Sequence, residues 1–158
     1  FAGSYARQRD MFVDTRPAGG AEQIAFGAAL MYDAAGAVVA MGAGADAQKF
    51  VGVAARELKS ALTYLDQSGG AYAPQEAVPV FMRGCVNVKC QNGVPKLGGA
   101  VYVRVAANEA LPNAAVGGFE AAEDSTAANT VQLANCQWAG PADANGVAEL
   151  RILTVNNA

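Results

Sequence analysis

Apolar and polar positions alternate with a period of two over several short stretches of the chain, and glycine-rich or Asp/Asn-rich breaks separate them. The clearest case is residues 78–90. Val78, Val80 and Met82 alternate, Gly84 interrupts, and Val86, Val88 and Cys90 resume on one face. A glycine inside such a pattern predicts a bulge or a close backbone approach. Residues 24–32 read as a strand, Asp33-Ala-Ala-Gly36 as a turn, and residues 37–41 as the hairpin mate. Gly42-Ala-Gly44 ends that unit, and residues 50–54 give another strand. Gln91-Asn92-Gly93 is a turn and residues 95–99 a loop. In Val101-Tyr-Val-Arg-Val105 the valines take one face, and Tyr102 and Arg104 the other. Short strands follow at 117–121 and 130–138, then an Asp143-Ala-Asn-Gly146 turn and a closing strand over 147–155.

One stretch supports two readings. Ala54, Leu58, Ala61, Leu62 and Leu65 fall at helical spacing, with Gly69-Gly70 as a stop. A strand running into a loop is equally compatible with residues 54–65. Residues 1–20 have no strong period and end at Pro17 and Gly19-Gly20. Phe1, Tyr5, Met11, Phe12 and Val13 are interleaved there with arginines. That mixture predicts an arm that folds onto a partner, because a free solvated tail rarely carries so much apolar surface. The expected architecture is mainly β: a small β-barrel or β-sandwich over residues 21–158, with an extended N-terminal arm over residues 1–20.

Composition narrows this. The 158 residues include 36 alanines, so the 53% hydrophobic content overstates the core. Seventeen valines against nine leucines favour strands. Histidine is absent, which removes Ser–His and Cys–His pairs and His-ligated zinc or haem. Phosphate-loop, zinc-protease and EF-hand motifs are missing, and Gly42–Gly44 lacks the lysine that would make it a phosphate cradle. No run of about 18 apolar residues suggests a membrane span, and the polar start with Arg7, Arg9 and Asp10 does not read as a signal peptide. No cofactor or metal is expected. The three cysteines, Cys85, Cys90 and Cys136, read as free thiols suited to a reducing cytosol.

The net charge of −3 argues against nucleic acid as a partner. Residues 106–150 hold Glu109, Glu120, Glu123, Asp124, Asp143 and Glu149 with no Lys or Arg, a net −6. A solvated acidic face is the plain reading, and a match to a basic partner the sharper one. Glu123 and Asp124 form the densest carboxylate pair, but neighbours on an Ala-rich loop rarely do acid–base work.

The stretches Lys49-Phe-Val-Gly-Val-Ala-Ala-Arg-Glu57, Tyr72-Ala-Pro-Gln-Glu-Ala-Val-Pro-Val80, Arg83-Gly-Cys-Val-Asn-Val-Lys89, Gly98-Gly-Ala-Val-Tyr-Val-Arg104, Val116-Gly-Gly-Phe-Glu-Ala121 and Asp143-Ala-Asn-Gly-Val-Ala-Glu149 occur in that order. Together they resemble the capsid cement, or decoration, proteins of tailed bacteriophages over roughly residues 20–155. The resemblance implies a head-stabilising, non-enzymatic protein, made in the host bacterial cytoplasm and bound to the outer surface of the capsid. It would clamp neighbouring major capsid protein subunits. It would also self-associate, as a homotrimer or alternatively a dimer. In the family such a stretch as 54–65 would be strand into loop. Composition then nominates Tyr5, Arg7, Arg9, Phe12 and Arg16 of the arm for shell contact, and predicts that deleting residues 1–17 leaves the β-body folded. Tyr102, Arg104 and Trp138 are candidates for a subunit interface. The alternative is a β-sandwich carbohydrate or cell-surface binding module displayed on the virion, for which Tyr72, Tyr102 and Trp138 are the available aromatics. A carboxylate-based hydrolase is a third reading, and it requires two carboxylates converging in a deep pocket.

Overall fold

A computed structural model of the chain describes residues 2–6, 10–56 and 70–156. The fold is built on one long strand, β7 (Ala77–Lys89), to which five further strands attach directly or in series. These are β5 (Gly52–Ala54), β3 (Ala29–Tyr32), β4 (Val38–Ala40), β11 (Cys136–Trp138) and β12 (Val147–Ile152), in the order β11-β12-β7-β5-β3-β4. A seventh, β1 (Phe12–Pro17), also pairs with β7. A second sheet runs β10-β8-β9, from Thr130–Gln132, Tyr102–Arg104 and Phe119–Glu120. A two-stranded piece joins β2 (Ile24–Ala25) to β6 (Ala71–Tyr72). Every pair of these strands is antiparallel. The architecture is mainly β and sandwich-like, with no closed barrel among the described residues.

The turns form where the sequence chemistry places them. Asp33 Oδ1 accepts the N–H groups of Ala35 and Ala37, which closes the β3–β4 hairpin. Asp143 does the same for Asn145 and Val147 ahead of β12, and Gly146 takes φ +75°. The expected strand over residues 24–32 is divided in two by a turn at Phe26-Gly27, and that over 130–138 is divided into β10 and β11. Residues 57–69, the bulk of the stretch with two readings, lie outside the described residues; Ala54 before them ends β5.

β7 faces two cores. Val78, Val80 and Met82 belong to a cluster with Ile24, Leu30, Val38 and Tyr72. Phe81 belongs to the other, larger cluster, which gathers Val53, Val103, Phe119, Trp138 and Leu150, so alternate residues of β7 serve alternate faces. Val86 and Val88, with the same parity as Val80, nevertheless join the Phe81 cluster. The switch falls at Gly84, whose φ is +111°. An irregular residue in a strand offsets the side-chain period by one and turns the following residues to the opposite core.

Residues 12–17 of the N-terminal stretch are part of this sheet, and the extended arm expected over residues 1–20 is not confirmed. Phe12–Pro17 pairs with β7 in register from Arg83 to Ala77, with an irregularity between Phe12 and Val13. Further back, Asn87 donates its N–H to the Ser4 carbonyl and accepts from Gly3, and Ala6 donates to the Cys85 carbonyl. Residues 3–6 and 12–17 therefore follow β7 over nearly its whole length. Deleting residues 1–17 would leave one edge of β7 unpaired, so it is not a clean removal of an appendage.

Candidate interaction surface

The nominated residues occupy different environments. Tyr5 and Phe12 are exposed by 37% and 50%, and Met11 beside them by 38%. All three sit on backbone hydrogen-bonded to, or pressed against, β7. The Tyr5 ring also packs against Phe81 with centroids 5.4 Å apart, and Asp10 makes an ion pair with Arg83. Arg16 is exposed on β1, bonds Asp14 at 2.8 Å and lies over the Tyr32 ring. The stretch thus presents aromatic and cationic groups from a fixed strand, so little ordering entropy would be lost on docking. Arg7 and Arg9 lie outside the described residues.

The proposed interface set is divided. Arg104 and Trp138 are wholly buried within the chain and have no surface to give a neighbour; Tyr102, of the three, is half-buried. Trp138 packs in the larger core, and its indole N–H has no hydrogen-bond partner among the described residues. Tyr72 is buried too, its hydroxyl donating to the Ala55 carbonyl. An aromatic platform of Tyr72, Tyr102 and Trp138 for a sugar ring is therefore not formed.

Arg104 sits in a dense, buried polar site. Its Nε and Nη2 grip Glu120 at 2.5 and 3.0 Å in a two-point contact, and its Nη1 meets Asp124 at 2.6 Å. Asn108 donates to both Asp124 oxygens, and the Thr126 N–H and Ser125 hydroxyl add to one of them. The Thr126 N–H, then Asn108 and Arg104, hold the Asp124 carboxyl well below the usual carboxylate range. The carboxylates raise the Arg104 pKa further, against the opposing effect of burial. Each of the four carboxylate oxygens thus has at least one structural partner, and the acidic excess of residues 106–150 is in part an internal match for Arg104. Glu120 and Asp124 are buried, which corrects the solvated-face reading for these two, while Glu109, Glu123 and Asp143 are exposed. Glu123 stays exposed, so the adjacent carboxylates do not converge. The network clips the loop around Asn108 and the turn at Asp124–Thr126 onto β8 and β9, in a segment with few large apolar residues.

Leu97 falls in the loop expected over residues 95–99, and Val94 lies between that loop and the turn at residues 91–93. Val94 and Leu97 are exposed by 73% and 80%, the two most exposed of the large hydrophobic residues described. The signal was available: two apolar side chains flank Pro95-Lys96 in a segment otherwise made of turn residues. An open groove of about 440 Å³ lies between residues 19–24, Val39, Ala40 and Val116. Among the described residues no three His, Cys, Asp or Glu side chains group as metal ligands.

A model of the family described as Structural cement protein (E217 gp24/Pam3 gp6) matches residues 1–153. Among solved structures, the chain is similar to one in the capsid of Myoviridae phage XM1, with a TM-score of 0.73 and 17% identity. The similarity covers 98% of this chain and 90% of that one, and at this identity it speaks to the fold. No curated protein matches.

Proposed function

The chain belongs to the phage structural cement protein family, and from that premise we propose how it holds the shell. The protein is a structural component of the virion, located on the capsid and not an enzyme. It binds the shell built from the major capsid protein, and its role there is to stabilise the capsid. The finer reading is that it clamps neighbouring capsid subunits from the outer surface through the strand-bound N-terminal stretch. Tyr5 and Phe12 act as the apolar anchors and Arg16 as the pairing cation. Arg7 and Arg9 belong to the same proposed contact by their place in the sequence. The observation that supports this surface is the exposure of Tyr5, Met11 and Phe12 on backbone locked to β7. Self-association as a homotrimer, or in the alternative a dimer, would let several weak contacts act together.

The test is co-sedimentation with expanded, undecorated heads, followed by heating to rupture. Saturable binding and a raised rupture temperature are expected, and copy number per head gives the oligomer. Phe12→Ser and Arg16→Glu change exposed groups without removing β1. Each should weaken occupancy by about tenfold. Full occupancy by both variants would remove this stretch from the contact, and no binding by the parent protein would overturn the capsid role.

A further inference from the structure

The loop over residues 91–99 is tied to neighbouring backbone at several points. Ala121 donates to the Asn92 carbonyl at 2.8 Å, Gly98 to Trp138 at 2.7 Å, and Trp138 to Gly99 at 3.0 Å. Gly99 closes the tip by donating to Lys96, and Pro95 is buried beneath it. Val94 and Leu97 therefore stand out from a braced support. Lys96 between them is exposed and has no carboxylate partner among the described residues. Two exposed aliphatic side chains and an exposed ammonium thus lie within four consecutive residues of this loop.

A complementary feature lies elsewhere on the same chain. The open groove at residues 19–24 has an apolar wall from Ile24, Val39 and Val116, and Val116 is itself 41% exposed. Glu22 also lines it, exposed and without an ion-pair partner among the described residues. None of the residues that brace the loop lines this groove.

We propose that the Val94–Leu97 tip of one copy seats in the residue 19–24 groove of a second copy, with Lys96 against Glu22. Charge complementarity selects the occupant: an apolar knob with a cation and an apolar groove with an anion are both present on one chain. Two different patches make a contact that closes either reciprocally in a dimer or cyclically in a trimer. The inference rests on the self-association reading above and names its surfaces.

The test combines sedimentation velocity of the full chain with photo-crosslinking from position 97, using mixed light and heavy-isotope protein. Leu97→Glu should weaken self-association by about tenfold or more. Lys96→Glu and Glu22→Lys should each weaken it, and the two together should restore it. Crosslinks should join light and heavy copies at residues 19–24, 39–40 or 116. Oligomers that survive Leu97→Glu, or crosslinks from position 97 to the shell protein, would overturn this contact and leave self-association standing. A protein that is monomeric in solution and yields no copy-to-copy crosslink on heads would overturn the self-association reading and this contact with it.

Discussion

Gly84 lies directly against Asp10: a Cβ built on Gly84 would fall 2.8 Å from the Asp10 carbonyl oxygen and 3.4 Å from the Met11 Cα. That approach seats the N-terminal stretch against the middle of β7, at the place where β7 turns its valines from one core to the other.

Gly84→Ala tests this relationship. A side chain at φ +111° is strained, at a cost of about 1–3 kcal/mol, and the Asp10–Met11 backbone must also move. The urea midpoint should fall, and head binding through neighbouring Phe12 should weaken with it. An unchanged midpoint would show that the stretch does not depend on this contact.

Arg104→Met removes the cation from a buried cluster and leaves Glu120 without its two-point partner. Stranding a buried charge costs about 3–5 kcal/mol, so the thermal midpoint should drop sharply. Replacing Arg104, Glu120 and Asp124 together by apolar residues should recover much of the loss, because no unpaired charge is then buried. Hydrogen exchange of residues 106–130 should report the same order of protection.

Acid should act through Asp124. Its folded pKa is depressed, so it contributes stability that is present above the ordinary carboxylate pKa of about 4 and is lost as pH falls toward the folded value. Asp143, also depressed by the N–H groups of Val147 and Asn145, acts in the same direction. Unfolding midpoints should therefore decline from pH 5 to pH 2 by about the amount these two groups permit. Asp124→Asn should flatten that slope while lowering stability at pH 7, and an unaltered slope would contradict the assignment.

Thiol chemistry should be slow in the folded state. Burial pushes the Cys136 thiol far above its ordinary pKa, and Cys90 is raised in the same way. A colourimetric thiol reagent at pH 8 should leave Cys136 unmodified until urea is added. Rapid native labelling at that residue, mapped by mass spectrometry, would contradict its place in the core.

The sequence by itself determined the local features. The Asp33 and Asp143 turns, the strands either side of Gly84 and the valine face of β8 follow from chemistry within a few residues. The ordered strand set was also enough to suggest the family. What tertiary structure decided were the relations between distant residues. Val80 and Val86 read as one face but serve different cores, because the offset at Gly84 is set by the chain that passes against it. Phe12–Pro17 reads as an arm and is a strand, because its partner lies some 65 residues further along. Arg104 reads as a surface residue and is buried, because Glu120 and Asp124 reach it from a later segment. In each case local pattern records preference for a face, while the partner that fills it is fixed by long-range pairing.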